Sequence, residues 1–394
     1  MRHRIIVLGA GYAGAVAAGR LARRLDPADV DITVVNAGPD FVERVRMHQL
    51  ATGQDLTPRP LRQMFAGTGV EVRIATVTGV GVDARTVTVT DHTSPGADQT
   101  DTLGYDTLVY ALGSGWDPGD VPGVAAHADE IASRAGALRL RDRLARLTAG
   151  QPVVVVGGGL TGLEAATEIA EARPDLAVAL VVRDGLGDTL APKGRAHLRV
   201  VLDRLDITGY EHTTVTGVAA DRVTTADGGT LPAAVTVWTT GFAVHPLART
   251  TGLKLADSGQ IVVDDMMRSV SHPDVSVVGD AAFVVGPGEK PLRMSCASGV
   301  PTAWQAADAI AARLTGGKPP NVPIRYYNQC ISLGRRDGLI QYVTADDRAR
   351  PAVLTGRLAA GYKELVCKGA AWGVANPTLR LPTRRHRVRY PLSA

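Results

Sequence analysis

Arg4-Ile5-Ile6-Val7-Leu8-Gly9-Ala10-Gly11-Tyr12-Ala13-Gly14 is an apolar run that breaks into three spaced glycines and continues into the alanine-rich stretch 13–25. The run predicts a buried strand, the glycines a tight turn and the alanine-rich stretch a helix. A second apolar run at 31–35 follows, so strand, turn, helix and strand fit within one βαβ unit of about 30 residues. The same order returns at Pro152–Val156, Gly157-Gly158-Gly159-Leu160-Thr161-Gly162, a helix over 162–172 and a strand over 177–182. G-x-G-x-x-G alone is a weak signal, but both copies sit between a predicted strand and a predicted helix, the context the motif requires. Glycine lets the backbone approach a pyrophosphate, and the free N–H groups and positive dipole end of the following helix hold its charge. Two bound dinucleotides are the natural reading.

Working outward, residues 70–77 with 86–90, and 213–218 with 222–225, predict small antiparallel ribbons turning at Asp83 and near Asp221. Each is followed by a strand ending in glycine: 107–111 before Gly113 and 234–239 before Gly241. A strand over 275–278 precedes Gly279-Asp280. A helix over 301–314 starts at Pro301 and is closed by Gly316-Gly317, the usual order of helix start and stop residues. From Lys318 the pattern turns mixed and Pro-interrupted, predicting a smaller third domain with a hairpin around 332–344. The fold class is α/β, two Rossmann-like domains with a small α+β C-terminal domain.

The 394 residues fit two or three domains. Hydrophobic residues at 45% and charged residues at 21% exclude a disordered or fibrous chain. Lys and Arg number 43 against 39 Asp and Glu, a net charge of +4 that implies no nucleic-acid partner. The excess gathers at Arg380, Arg384, Arg385, His386, Arg387 and Arg389, read as a solvated terminus. Cys296, Cys330 and Cys367 are too few and too irregular for a disulfide scaffold or a zinc site. No metal is expected, and a reducing, cytoplasmic compartment is the simplest reading. The first apolar run is shorter than the ~7–15 residues of a signal-peptide core. No stretch reaches the ~18 apolar residues of a spanning helix, so contact with a membrane is expected to be peripheral at most.

From residue 4 to about 315 the order of motifs resembles the two-dinucleotide-binding-domain flavoproteins, the pyridine nucleotide-disulfide oxidoreductase superfamily, and within it the type II NADH:quinone dehydrogenase-like branch. Residues 105–114 resemble the motif that closes the first half of the family's FAD domain, and 237–242 its counterpart in the nicotinamide half. Gly279-Asp280-Ala281 resembles the motif whose aspartate bonds the flavin ribityl chain. The resemblance implies an FAD domain over 1–116 and 247–315, a NAD(P)H domain over 117–246 and a C-terminal domain over 316–394. It assigns Gly9, Gly11, Gly14, Asn36, Gly113, Gly279 and Asp280 to FAD, with Pro301 opening a helix aimed at the flavin pyrimidine. Gly157, Gly159, Gly162, Arg183 and Gly241 are assigned to NADPH or NADH. It further implies hydride transfer to flavin and electron delivery to a quinone-like or other small acceptor. Two other readings stand beside it: an FAD-dependent oxidase or dehydrogenase of an organic metabolite that uses dioxygen, and a redox sensor.

Several positions depart from the family pattern. Asn36 stands where a Rossmann strand usually ends in Asp or Glu, and its amide oxygen still accepts from a ribose. Arg183 stands at the equivalent place in the second unit and suits a 2′-phosphate, favouring NADPH; a slip of one residue puts Asp184 there and reverses the preference. Over 41–53 the disulfide reductases carry a cysteine pair; this chain has no cysteine before Cys296, so disulfide reduction is not expected. Residues 151–246 also lack the cysteine that sulfide:quinone reductases need, and Cys296 is read as a buried structural thiol. The segment instead carries Arg44, Arg46 and His48, candidates to bind an anionic substrate or move a proton. Arg44 and His48, four apart, are expected to share a helical face and lower the imidazole pKa. Glu164, read on the first turn of its helix, resembles a glutamate placed near the meeting of nicotinamide and flavin. Residues 370–377 are broken by Gly373 and Pro377 and predict no stable amphipathic helix.

Overall fold

The computed structural model describes residues 2–91, 99–378 and 385–389. The opening run forms the strand His3–Leu8 at the centre of a five-stranded parallel sheet. Its order across the sheet is Val275–Val277, Thr107–Tyr110, His3–Leu8, Val30–Asn36 and Val70–Ile74. Helices Tyr12–Arg24 and Cys296–Thr315 pack together against it. An antiparallel sheet of Thr76–Gly81, Thr86–Asp91 and Gln99–Gly104 joins the same core through Val87 and Val89. A sheet covered in this way is buried on both faces, which is why its strands read as continuous apolar runs.

The second glycine unit builds a second parallel sheet, ordered Thr208–Tyr210, Ala177–Val181, Pro152–Val156, Val235–Trp238 and Ala128–Asp129. One core lies on each of its faces. Ser114–Trp116 and Phe242–Val244 pair antiparallel, so the two passages of the chain between the sheets run side by side.

Four expectations are corrected. The run 70–77 is not one ribbon strand: Val70–Ile74 belongs to the first parallel sheet, and Thr76–Gly81 pairs with Thr86–Asp91. The Ala75 N–H still reaches the Asn36 carbonyl at 2.9 Å before the chain changes sheets, and there the apolar alternation shifts by one residue, from Val70, Val72 and Ile74 to Ala75 and Val77. The helix expected from Pro301 begins at Cys296, with Ser295 at its N-cap, and carries Pro301 inside. At the sixth position of this helix proline removes the N–H that would reach the Ala297 carbonyl, so it costs a helical bond there and does not mark the start. Pro301 therefore does not present the helix's free N–H groups, which belong to its first turn.

The C-terminal region pairs Asn328–Ser332, Gly338–Val343 and Ala349–Thr355 antiparallel, then runs into a 20-residue helix, Gly356–Ala375. Its inward face is Ala359, Cys367, Ala371 and Val374. Leu358, Leu365 and Trp372 are 76%, 69% and 60% exposed. Small residues inward and large apolar ones outward give no amphipathic contrast in the sequence, so the helix was not legible there. The described part of the basic tail is docked, with Val388 buried, while its charged side chains stay exposed. His386 bridges to Leu25, and Arg387 holds Asp29 through bonds of 2.6 and 2.8 Å. Arg380 and Arg384 lie outside the described residues.

Candidate functional site

The two glycine turns separate what the fold needs from what a ligand needs. A Cβ at Gly9 would stand 2.6 Å from the Ala111 oxygen, and one at Gly14 would stand 1.9 Å from the Gly9 oxygen. In the second turn a Cβ at Gly157 would stand 2.6 Å from Thr239 Oγ1, and one at Gly162 would stand 1.9 Å from the Gly157 oxygen. The fold itself therefore demands the first and third glycines. The middle ones, Gly11 (φ −70°, ψ −169°) and Gly159 (φ −73°, ψ 174°), adopt extended backbone open to any residue, and a Cβ there meets nothing within 4 Å. Each caps a helix that has no side-chain cap and no acidic residue in its first turn. Two helix N-termini with unclaimed N–H groups, each behind a space a side chain would fill, fit two pyrophosphates.

The other FAD candidates gather at the first turn. Asn36 ends its strand, accepts from the Ala10 N–H at 2.9 Å and donates to the Gly38 carbonyl at 2.7 Å, so its amide braces the turn. Gly113 (φ +68°) leads into Ser114, whose hydroxyl donates to Asp280 Oδ2 at 2.6 Å. Gly279 packs against Ala13. On the nicotinamide side, Gly241 (φ +78°) approaches the Asp117 backbone. Arg183 lies just past the strand Ala177–Val181 with Asp184 beside it, 3.6 Å away and also exposed.

Where the short helix Met47–Ala51 and the C-terminal hairpin and helix meet Leu160–Ala172, the chain buries a polar centre. His48, in the short helix Met47–Ala51, is buried with Nδ1 3.7 Å from Glu164 Oε2. Glu164 Oε1 stands 2.9 Å from Lys363 Nζ and accepts from the Ser332 N–H at 3.0 Å. Lys363 also donates to the Cys330 carbonyl at 3.0 Å. The His48 Nε2 has no partner among the described residues. Burial holds His48 down at about 4, with Lys363, Arg335 and Arg46 adding to the effect and Glu164 opposing it. Burial pushes Glu164 up, but Lys363, His48 and the Ser332 N–H more than offset this and keep it below the usual carboxylate range. Burial likewise works against the Lys363 charge, and Glu164 overrides it. At neutral pH the centre is a neutral imidazole beside a buried ion pair.

This placement alters four sequence readings. Glu164 lies on the second turn of Leu160–Ala172, where it meets His48 directly and does not serve the helix end. Arg44 turns away to donate to the Ser114 carbonyl at 2.8 Å, so the imidazole is lowered by burial and not by Arg44. Arg46 is committed to Glu43 (3.2 Å), Glu364 (3.0 Å) and Gln49 (3.0 Å), leaving it a structural role. Cys296, expected buried, opens its helix and is exposed. Lys363, Ser332 and Arg335 were not anticipated, because nothing local marks a lysine in an unrecognised helix as buried. A cavity of about 260 Å³ adjoins the centre, lined among others by Gln49, Ser332, Arg335, Lys363, Glu364 and Cys367.

Comparison with known proteins agrees with this construction. The family model for pyridine nucleotide-disulphide oxidoreductases matches residues 3–311. An NADH dehydrogenase-like protein of Mycobacterium tuberculosis is 34% identical over 361 residues, spanning 84% of this chain and 86% of its own length. A type II NADH:quinone oxidoreductase of the same organism is 27% identical, with 95% of this chain and 87% of its own length covered. Among solved structures, the sulfide:quinone oxidoreductase of Aquifex aeolicus superposes with a TM-score of 0.81 at 19% identity, over 96% of this chain and 93% of its own, a likeness of fold. The cofactor set expected from the sequence, FAD with a nicotinamide nucleotide, goes with this membership. The chain belongs to the pyridine nucleotide-disulphide oxidoreductase family, as an FAD-dependent NAD(P)H oxidoreductase of the type II NADH:quinone dehydrogenase-like branch.

Proposed function

We propose that the protein oxidises a nicotinamide nucleotide and passes the electrons to a quinone-like acceptor at the buried centre of His48, Glu164 and Lys363. The observation that carries this reading is the unpartnered Nε2 of a buried neutral imidazole, backed by an ion pair whose Lys363, with Ser332, lines a neighbouring polar cavity. A buried nitrogen without a partner costs free energy unless a ligand supplies one. FAD, held by Gly11, Asn36, Gly113 and Asp280, would supply the relay from hydride to acceptor. Glu164, kept ionised by Lys363, favours a proton on the facing Nδ1 of His48, which leaves Nε2 as a lone pair that takes up a proton before it can donate one to a quinone oxygen. Leu358, Tyr362, Leu365 and Trp372 fall on one side of Gly356–Ala375, opposite the buried side. That apolar side suits contact with a lipid surface, where lipophilic quinones reside. No helix among the described residues is long and apolar enough to cross a membrane.

The acceptor side is tested with His48→Ala. Stopped-flow traces should show reoxidation by a short-chain quinone slowed at least about a hundredfold, the low end of proton-transfer effects, with reduction by the nucleotide changed less than twofold. Unchanged rates in both half-reactions would sink the reading.

Arg183 is proposed to read the 2′-phosphate of NADPH. Its guanidinium, 79% exposed and 3.6 Å from the exposed Asp184, can turn onto a phosphate at the carboxyl end of the strand Ala177–Val181. Arg183→Ala should raise KM for NADPH about 10- to 150-fold, the loss of one charge-assisted bond of about 1.5–3 kcal/mol, and leave NADH nearly unaffected. Equal losses for both nucleotides would refute the assignment.

A further inference from the structure

Glu168 takes no part in the scheme above, yet it is among the most deeply buried charged residues of the protein, 2% exposed. It sits one turn beyond Glu164 on Leu160–Ala172, and side chains four apart on a helix lie within about 6 Å at Cβ. One oxygen, Oε1, accepts from Gln54 Nε2 at 2.5 Å. Arg335 Nε stands 3.8 Å from the same oxygen. The other oxygen, Oε2, has no partner among the described residues. The groups facing this carboxyl are Gln54 from the segment after His48, Arg335 from the C-terminal hairpin, and Glu171 and Glu164 from its own helix. Arg335 also lines the cavity, as do Ser332 and Lys363, which hold Glu164. Cavity space of this size and polarity is roomy enough for several waters.

The two carboxyls differ in what surrounds them. Glu164 has an ammonium at 2.9 Å and a backbone N–H at 3.0 Å, so it stays ionised near neutrality. Among the described residues Glu168 has only the Gln54 amide and the more distant Arg335. Burial dominates there and pushes it up to about 7, with Arg335 and Gln54 opposing and Glu171 and Glu164 reinforcing the rise. Quinone reduction consumes a proton: NAD(P)H + H⁺ + quinone gives NAD(P)⁺ + quinol. Two electrons and one hydrogen come from the nucleotide, and the second hydrogen comes from solvent.

We propose that Glu168 is the proton-holding group of this centre, releasing a proton past Arg335 and by way of His48 to the reduced acceptor, whose oxygens hold it more tightly than either side chain, and recovering one from solvent. The inference rests on the quinone reading and adds the residue that supplies it. Glu168 is a positioning and relay residue; it does not touch the acceptor.

Glu168→Gln keeps the side-chain shape and removes the exchangeable acid, and Glu168→Asp restores the acid on a shorter arm. The ratio of turnover with a short-chain quinone, which takes up protons, to turnover with ferricyanide, which takes none, isolates proton supply from hydride transfer. In Glu168→Gln that ratio should fall about tenfold, and the inflection near neutral pH in quinone turnover should disappear. Glu168→Asp should recover part of both. Infrared difference spectra of the resting protein, taken across neutral pH without turnover, should show a carboxylic acid band that titrates in wild type and is missing in Glu168→Gln. An unchanged ratio, or a band that survives the substitution, overturns the proposal. A wild type that reduces ferricyanide but no quinone overturns the acceptor reading instead, and the infrared band alone then decides whether Glu168 holds the proton.

Discussion

A Gly11→Val protein is expected to fold normally and purify without flavin. Gly11 is extended, and a Cβ there meets nothing within 4 Å, so valine has no clash to relieve in the folded chain. What valine does fill is the space before the N-terminus of Tyr12–Arg24, where the pyrophosphate would meet unclaimed N–H groups. Losing even two charge-assisted bonds at about 1.5–3 kcal/mol each weakens FAD by at least about two orders of magnitude. Absorbance at the flavin band gives the content, and the melting temperature of wild-type protein stripped of flavin gives the control. Full flavin content in the variant would show that the first turn is not the FAD site. Gly14→Val, by contrast, should fail to fold, because its Cβ would stand 1.9 Å from the Gly9 oxygen.

Glu164→Leu is expected to cost about 3–5 kcal/mol of stability, because it leaves the Lys363 ammonium buried without its partner. The double variant Glu164→Leu/Lys363→Met should recover most of that loss while quinone turnover stays low. Denaturant unfolding of the three proteins measures the stability, and the cycle they form, completed by Lys363→Met, gives the coupling. A double variant no more stable than the single one would show that the pair is not the source of the cost. The pH response has a defined sign. The folded Glu164 is held below its ordinary value of about 4.3, so its contribution is fully present above that pH. It is lost as pH falls through the folded value, and the wild type should therefore lose its advantage over the double variant in acid.

The sequence alone determined the two nucleotide turns and the strands and helices beside them. Strand, three-glycine turn and helix form from neighbouring residues, and the requirement for glycine is written in the identity of each residue. The order of motifs likewise carried the family. The same reasoning misplaced features whose meaning depends on distant contacts. Pro301 looked like a helix start because a proline carries no record of the first turn that precedes it. The run 70–77 hid a change of sheet, since its one mark is the adjacent pair Ile74-Ala75, where the alternation slips by a single residue. Helix Gly356–Ala375 was invisible because its inward face is alanine and cysteine. Arg44, Arg46 and His48 looked equivalent in sequence, yet one bonds a backbone carbonyl, one is locked between two glutamates, and one is buried with a free nitrogen. The charge state of a group is set by its solvent and by the partners within a few ångströms. Those partners, Lys363 and Ser332 for Glu164 and Arg335 for Glu168, come from segments that only the packing of the C-terminal hairpin and helix against helix Leu160–Ala172 brings together.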